Sequence, residues 1–316
     1  MRVVFFGTPA FAVPSLEALA NSRHVVCGVV TQPDKPRGRG QKVSPSPVKQ
    51  ASVARGIPVL QPDRIRDIAF LNDLRGLSPD LGVVAAYGKI LTNEVLEVPR
   101  LGMINVHASL LPRWRGAAPI HRAVLAGDPL TGVTIMRVVQ ALDARPMLRA
   151  THTPIDPTDT SVSVESRLAA LGAQLLVQVV DDLERGPVAE APQDETKVVY
   201  AARLSRAESA IDFKKSATDI HNAIRGLQPW PLAAATLGGR RVRFLESAVR
   251  SVEPVSAPPG TITHLEPDAL IVSTGRGSLA LRRVQLDGRP VVSVRDFLNG
   301  HAVRVGDRFL PLTDTP

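Results

Sequence analysis

The sequence predicts an α/β protein in which a doubly wound sheet domain is followed by a smaller β-barrel domain. Up to Leu183, runs of β-type residues alternate with stretches of helical apolar spacing, which is typical of βαβ units around a parallel sheet. From Ala233 onward, short β-rich runs recur between turn signals, which is typical of a small barrel. A chain of 316 residues is long for a single core, so two domains are expected.

The chain opens with a βαβ unit. Arg2–Phe6 is a β-type run, Pro14–Ala20 has helical spacing, and Val25–Val30 is apolar throughout, as in a strand buried on both faces. The turn at Gly7–Pro9 lacks the second and third glycines of the dinucleotide-binding fingerprint. NAD is therefore not an expected ligand.

The rest of the first domain continues this alternation. The segment Asp159–Ser161 is expected to cap a long helix, because these residue types accept hydrogen bonds from the first free N–H groups. Helices are predicted at Val48–Arg55, Ala117–Leu125 and Val162–Leu183, and strands at Pro58–Leu60, Leu81–Ala86, Met103–His107, Thr131–Val138 and Met147–Thr153.

The composition of the chain restricts the kind of protein that it can be. Apolar residues make up 44% of the chain, which is ordinary for a soluble globular protein. No apolar run reaches the ~18 residues of a membrane helix, and Met1–Gly7 lacks the cleavage pattern of a signal peptide. Cys27 is the only cysteine, which excludes an intrachain disulfide and argues against a thiolate metal site. These features are typical of a reducing cytoplasm.

The charge is concentrated in one stretch. The chain carries a net charge of +8, and the segment Thr31–Lys49 holds five basic residues and one acid. Proline and glycine preclude a helix or strand at its centre, and it follows a strand end, where open α/β sheets bind ligands. The stretch predicts a flexible arm for phosphate groups, with a solvated surface loop as the alternative.

One strand end carries candidate catalytic residues. In Met103–His107, the alternation of side chains places Asn105 and His107 on the same face. A donor-bearing amide beside an imidazole is the pairing that acyl-type transfer needs. The alternative is a capped strand end with an incidental histidine. The chain then leaves through a loop stiffened by Pro112 and freed at Gly116.

The regular alternation of strand and helix signals becomes weaker before the second domain. We predict a first domain at 1–189, a linker at 190–206 and a second domain at 207–316. The second domain is expected to be a barrel of the oligonucleotide-binding type. From Ala207 on it has 14 basic and 11 acidic residues, which suits a supporting electrostatic surface without proving one. Its β-rich runs are Val242–Leu245, Gly260–Ile262, Ala269–Val272, Ser278–Leu281 and Val291–Val294.

The stretch Asn105–Pro112 resembles the signature of the formyltetrahydrofolate-dependent formyltransferases. The extension Arg113–Ile120 narrows the resemblance to the bacterial branch that acts on methionyl initiator tRNA. The similarity spans nearly the whole chain. Further matching stretches are Phe6–Pro9, Gln32–Asp34, Gly38–Gly40, Pro45–Lys49, Ala86–Gly88, Thr131–Met136, Ile211–Asp212, Ile224–Arg225, Pro229–Pro231 and Phe297–Gly300.

The resemblance implies a Rossmann-like formyltransferase domain and an oligonucleotide-binding-type barrel. It implies transfer of the formyl group of 10-formyltetrahydrofolate to the α-amino group of methionyl initiator tRNA, without a metal, by a cytoplasmic monomer. The expected catalytic residues are Asn105, His107 and Asp143. The expected folate-binding residues are Ser109, Leu110, Leu111 and Pro112, together with the turn at Tyr87 and Gly88. The expected tRNA-binding residues are Lys35, Arg37, Arg39 and Lys42.

The chemistry accounts for these residue types. When a neutral amine attacks the formyl carbon, charge develops on the formyl oxygen. Asn105 and a protonated His107 would stabilise that oxyanion, by roughly 3–4 kcal/mol per good donor. Asp143 would orient His107 and favour its protonated form, or accept the proton that the amine loses, directly or through water. The other six histidines are scattered in the sequence, so no metal site is expected.

One loop departs from the family pattern. Where the family usually places a small residue, glycine and aspartate after the catalytic carboxylate, this chain has Ala144, Arg145 and Pro146. Arg145 could pair with the glutamate tail of the folate or face solvent. Two other functions therefore stay open: formyl transfer to a small amine, or hydrolysis of formylfolate, and tRNA binding without catalysis. The basic stretch and the second domain argue against a small substrate.

The arginines and tryptophans near these motifs also allow two interpretations. Arg113 and Arg115 lie close to the catalytic pair, so they could be solvated or could contact substrate. Trp114 and Trp230 are expected to be packing anchors rather than platforms for stacked bases.

Overall fold

A computed structural model describes residues 1–37, 42–138 and 146–312 of the protein. The described chain forms two units whose segments alternate along the sequence. The first unit consists of Met1–Pro119, Leu130–Thr153 and Glu165–Ala201. The second consists of Ile120–Pro129, Pro154–Val164 and Ala202–Pro316. The predicted domain limits remain a prediction.

A sheet of seven strands organises the first unit, in the order β10-β9-β7-β6-β1-β2-β5. Strands β5, β2, β1, β6 and β7 run parallel, whereas β9 runs antiparallel to β7. The strands up to Ala201 are β1 (Arg2–Gly7), β2 (Val25–Val30), β3 (Lys35–Arg37), β4 (Lys42–Ser44), β5 (Val59–Leu60), β6 (Leu81–Ala85), β7 (Met103–His107), β8 (Arg113–Gly116), β9 (Leu130–Arg137), β10 (Met147–Pro154) and β11 (Val199–Ala201).

Helices connect strands in both units. Most begin with a residue that suits a helix N-terminus; Ser46, for example, accepts a hydrogen bond from the Lys49 N–H at the start of the second helix. The helices are α1 (Val13–Ala20), α2 (Pro47–Ala54), α3 (Ile68–Gly76), α4 (Asn93–Leu96), α5 (Pro119–Ala126), α6 (Ser161–Arg185), α7 (Ala217–Gly226) and α8 (Val294–Gly300), with short 3-10 helices at Ala10–Ala12, Glu195–Lys197 and Arg206–Ser209.

The core of the first unit follows from the apolar strands. All side chains of β1 after Arg2 are buried, and Val29 and Val30 of β2 are fully buried. Phe6 packs edge-on against Tyr87 at 5.5 Å between ring centroids. The predicted doubly wound parallel sheet is confirmed.

The second unit contains an antiparallel sheet in the order β12-β13-β16-β15-β14, with β17 paired to β16. Thr236 on one outer strand exchanges both main-chain hydrogen bonds with Leu310, and Ile262 on the other donates to Asp307 and accepts from Gly306. The segment 306–310 thus joins both edges and closes the sheet into a small barrel. Its strands are β12 (Ala233–Leu237), β13 (Arg240–Ser251), β14 (Ile262–Leu265), β15 (Leu270–Ser273), β16 (Ser278–Leu286) and β17 (Val291–Ser293).

Three phenylalanines form the aromatic core of the second unit. Phe213, Phe244 and Phe309 are buried and lie within 5.3–6.1 Å of one another, as measured between ring centroids. They come from three distant parts of the chain, so the core forms only when these segments meet. Among the described residues, no helix combines the length and the apolar character that crossing a membrane requires.

Candidate active site

The end of β7 carries the two side chains that the sequence singles out. Asn105 and His107 lie two residues apart on the strand, so both project from the same face of the sheet. His107 is 5% exposed and Asn105 is half-buried. The side-chain amide of Asn105 makes no hydrogen bond to any described residue. That amide is therefore available to a ligand.

A main-chain carbonyl fixes the orientation of the His107 ring. The Nε2 atom of His107 lies 3.0 Å from the carbonyl oxygen of Trp114. Because a carbonyl oxygen can only accept, Nε2 carries the proton in this hydrogen bond. The other ring nitrogen, Nδ1, is then the atom that can exchange a proton in a reaction.

Thr134 holds the loop after β7 in place by two hydrogen bonds. The Thr134 hydroxyl donates to the Ser109 carbonyl at 2.7 Å and accepts from the Leu111 N–H at 3.2 Å. The Ser109 hydroxyl donates to the Arg113 carbonyl at 2.7 Å. Both hydroxyl-bearing residues are fully buried, so the predicted folate-binding segment Ser109–Pro112 has a fixed main-chain path.

In the turn after β6, the main chain of Tyr87 makes the polar contacts, whereas its aromatic ring is buried in the core. Tyr87 is 2% exposed within the apolar core, and burial raises the pKa of its hydroxyl. Its carbonyl accepts from the Thr8 hydroxyl at 3.0 Å and from Gln32 Nε2 at 2.9 Å. Gly88 has φ +82, and a Cβ there would lie 2.7 Å from Gln32 Nε2. The Tyr87 ring thus supports the turn, while a folate contact by the turn remains a prediction.

A pocket of about 790 Å³ lies at the carboxyl ends of β5 and β6. Because β5, β6 and β7 run parallel, this is the edge of the sheet at which His107 ends β7. Sequence reasoning missed the pocket, since no motif marks the short loops that form it. Its lining combines charges of both signs with apolar side chains: Arg64, Ile65, Arg66, Asp67, Ile90, Leu91, Thr92, Asn93 and Glu94.

Arg115 is neither solvated nor placed to meet a substrate. Its side chain is 2% exposed, and its guanidinium pairs with both carboxylate oxygens of Glu195, at 2.7 and 3.1 Å. Its Nε donates to Gln193 at 2.9 Å.

The two tryptophans differ in how far they are packed. Trp114 is half-buried, with the Arg113 guanidinium 4.4 Å above its ring. Trp230 is 52% exposed and so only partly packed.

Comparison with known proteins identifies the family of the chain. Residues 1–180 match the model of the family described as formyl transferase, and residues 203–302 match the formyl transferase C-terminal domain. The protein belongs to the formyl transferase family. The methionyl-tRNA formyltransferase of Methylococcus capsulatus is 48% identical over 303 residues, which cover 96% of this chain and 98% of that protein. That of Sulfurihydrogenibium sp. is 43% identical and covers 98% of this chain and all of that protein.

Solved structures of other proteins share the formyl transferase fold. The N-formyltransferase of Helicobacter canadensis, solved with folinic acid and dTDP-3-aminofucose, superposes with a TM-score of 0.67 at 17% identity, covering 89% of this chain and 98% of that one. HypX of Aquifex aeolicus superposes with a TM-score of 0.65 at 14% identity, covering 95% of this chain and 47% of that one. At these identities the likeness concerns the fold alone.

The basic segment of this formyl transferase is built on a two-stranded ribbon. Strands β3 and β4 pair antiparallel, with Lys35 opposite Ser44 and Arg37 opposite Lys42. Strands therefore flank the centre of the segment, and Arg39 lies outside the described residues.

The base of the ribbon is anchored by Asp34. This carboxylate pairs with Lys49 at 2.7 Å and accepts from Gln61 at 2.8 Å. Lys35 is exposed, and its ammonium donates to Gln32 at 3.1 Å. The anchoring uses the cation at the end of the segment and leaves the ribbon itself strongly basic.

The predicted third catalytic residue, Asp143, also lies outside the described residues, as do Ala144 and Arg145. The described chain stops at Val138, whose N–H donates to the Met103 carbonyl at 2.9 Å. The contact of Asp143 with His107 remains a prediction.

Proposed function

We propose that the protein transfers the formyl group of 10-formyltetrahydrofolate to the α-amino group of methionyl initiator tRNA. The observation that carries the proposal is the pair of the half-buried Asn105 and the buried His107 at the end of β7, in a chain that matches methionyl-tRNA formyltransferases over nearly its whole length. We expect it to act as a monomer in the cytoplasm.

The geometry suggests a role for each side chain. The neutral amine attacks the formyl carbon, a C–N bond forms, and negative charge gathers on the formyl oxygen. The amide of Asn105, which has no partner among the described residues, donates to that oxygen. His107, held at Nε2 by the Trp114 carbonyl, presents Nδ1 to the reaction and in its protonated form donates there.

Two proton transfers complete the exchange. The bond between the formyl carbon and folate N10 breaks, and N10 must take up a proton, which His107 can deliver. The attacking nitrogen must lose a proton, and we assign its acceptance to Asp143 or to a water that Asp143 positions. No net charge is created, so the side chains need only shuttle protons and stabilise the transient oxyanion.

We assign folate binding to the loop Ser109–Pro112, the turn Tyr87–Gly88 and the neighbouring pocket. The loop is rigid because Thr134 ties two of its main-chain groups. The pocket offers Ile90, which is 78% exposed, beside arginine side chains. An apolar surface with nearby cations suits a flat aromatic molecule that carries carboxylates.

We assign the acceptor end of the tRNA to the ribbon β3–β4 with Lys35, Arg37, Arg39 and Lys42. These four cations fall within eight residues of the sequence, and such a concentration of positive charge attracts phosphates. A small amine substrate would need neither this ribbon nor the barrel of the second unit, which supports a tRNA substrate.

The decisive experiment is a formylation assay with purified protein. Charged initiator tRNA and charged elongator methionine tRNA are each tested with and without 10-formyltetrahydrofolate. We expect formyl-methionyl product only with the folate and predominantly on the initiator tRNA. Equal formylation of a free small amine, or release of formate without transfer, would contradict the proposal.

A further inference from the structure

We propose that the segment 193–201, called here the strap, positions His107 for the reaction through Arg115 and the Trp114 carbonyl. The inference rests on the proposed function and adds positioning residues that lie outside its catalytic machinery. The strap falls between the two stretches that match the family models, which end at residue 180 and resume at residue 203.

Side-chain contacts make the first link of the strap to β8. Arg115 is almost completely buried, and its planar guanidinium forms a two-pronged pair with the Glu195 carboxylate. Gln193 accepts from the remaining Nε. The Arg115 side chain also hydrogen-bonds the hydroxyl of Tyr200, and the guanidinium holds the pKa of Glu195 below its usual range. Two charges in this arrangement fix the rotation of the Arg115 side chain.

Main-chain contacts make the second link. Strand β11 of the strap pairs in parallel with β8, with Tyr200 opposite Arg115 and Ala201 opposite Gly116. The Ala201 carbonyl accepts from the Ala117 N–H at 2.9 Å. At Gly116, a Cβ would lie 2.9 Å from that carbonyl oxygen, so the two chains approach as closely as glycine permits.

The residue directly before these links contacts the catalytic histidine through its carbonyl. Trp114 has φ +66, a conformation that non-glycine residues adopt only when their surroundings impose it. In that conformation its carbonyl points at His107 Nε2, 3.0 Å away. Arg115 follows Trp114 directly. The ion pair between Arg115 and Glu195 and the pairing of β8 with β11 therefore hold the peptide between Trp114 and Arg115 in place, and the carbonyl of that peptide selects the tautomer of His107.

The strap itself has a defined shape. Its short 3-10 helix Glu195–Lys197 begins with Asp194, whose carboxylate accepts from the Thr196 N–H and hydroxyl. These hydrogen bonds, together with one from Lys197, lower the pKa of Asp194 to about 2. Glu195 is therefore presented from a preformed turn rather than from a loose chain.

The test uses Glu195→Ala, with Glu195→Gln as the conservative variant and Asp182→Asn as the control. Asp182→Asn removes the negative charge from the Arg149–Asp182 pair, which joins β10 to α6 in the same unit. Two readouts are taken on each full-length protein: kcat and KM for formyl transfer, and the ring ¹⁵N signals of His107. Those signals are identified by their absence in His107→Gln.

We expect Glu195→Ala to lower kcat about tenfold with little change in either KM, as when a residue that orients a catalytic group is removed. The His107 signals should move from the Nε2–H tautomer toward a mixture. Glu195→Gln should recover part of both effects, because an amide still accepts from the guanidinium. Asp182→Asn should match the wild type in both readouts.

The signals of His107 decide the proposal. Unchanged His107 signals in Glu195→Ala would overturn it even if kcat fell, since a loss of stability alone would explain the slower reaction. Should the wild type show no formyl transfer, the proposed function fails, and the tautomer measurement still decides the positioning role by itself. A thermal melt of each variant shows whether the comparison is made on folded protein.

Discussion

The two polar residues of β7 differ in what holds them. His107 is fixed by the Trp114 carbonyl, whereas the Asn105 amide is available to substrate. We expect Asn105→Ala to lower kcat by about 10²–10³, or about 2.7–4 kcal/mol, because it removes an oxyanion donor. The measurement is single-turnover formylation of charged initiator tRNA, with the exposed Asn72→Ala as a control. A wild-type rate in Asn105→Ala would exclude this role.

Thr134 allows a second test at the scale of single residues. Thr134→Val keeps the shape of the side chain but leaves the buried Ser109 carbonyl and Leu111 N–H without the hydroxyl that pairs with them. We expect a loss of about 1–3 kcal/mol in the free energy of unfolding and a higher KM for the folate. Thr134→Ser retains the hydroxyl and should recover most of the KM. If Thr134→Val raised no KM, the loop would not shape the folate site.

The sequence predicted the candidate catalytic residues but not the residues that hold them in place. Asn105 and His107 were recognisable because strand alternation and a continuous motif place them together. Arg115 looked like one of several basic residues near the motif, since its partner Glu195 is 80 positions away along the chain. Contacts over such distances depend on tertiary packing, which no local pattern records.

At the scale of elements, the ribbon β3–β4 gives the clearest electrostatic prediction. Neutralising Lys35, Arg37, Arg39 and Lys42 together should weaken tRNA binding. It should also flatten the dependence of log K on log salt, by at most about 0.7–0.9 for each phosphate contact that is lost. Fluorescence titrations between low and physiological salt measure this slope.

A charge-matched variant distinguishes the ribbon from the total charge. Neutralising Arg55, Arg75, Arg149 and Arg185, all exposed on the first unit, removes the same four charges elsewhere. This variant should keep a slope close to that of the wild type. Equal slopes in the two variants would mean that the ribbon makes no specific phosphate contacts.

Elements with a continuous apolar pattern were predictable, and those with an interrupted one were not. Strand β2 has the bounds that its sequence indicates. Helix α3 was missed because asparagine, aspartate and arginine interrupt its apolar positions. Strand β8 was missed because Arg-Trp-Arg-Gly resembles a polar loop, and it becomes a strand only through its pairing with β11.

At the scale of the whole molecule, the two units should respond differently to acid. In the second unit, burial lowers the pKa of His221, whose ring contacts Ser247 and the Pro157 carbonyl near Arg225. A histidine that is kept neutral in the fold but protonates freely when unfolded costs stability as the pH falls below 6.5. The second unit should therefore begin to lose stability between pH 7 and 5.

Carboxylates dominate the pKa shifts of the first unit. Hydrogen bonds from Arg23 to Asp181, from Arg115 to Glu195 and from Thr196 to Asp194 lower the pKa values of these acids. Their stabilisation is complete above the unfolded pKa values of 3.8 and 4.5 and is lost as the pH falls through the folded values. The first unit should therefore keep its stability down to about pH 4.5.

The two tryptophans make this contrast measurable. Trp230→Phe leaves Trp114 as the reporter of the first unit, and Trp114→Phe leaves Trp230 as that of the second. Urea midpoints from pH 7 to 4 should fall first for Trp230. Adding His221→Gln should remove that early decline. Parallel midpoints for both reporters would contradict the assignment.

The alternation of the two units along the chain has a consequence for synthesis on the ribosome. Helix α5 emerges as part of the segment Ile120–Pro129, which belongs to the second unit, yet its partner Gly226, whose carbonyl pairs with His121, is made about a hundred residues later. Until that later segment is made, Ile120 and Val124, which are buried in the folded protein, lack the residues that belong to the same unit. A protein cut after Ala201 would therefore not release two independent halves, because the first piece would hold two segments that the second unit needs, Ile120–Pro129 and Pro154–Val164.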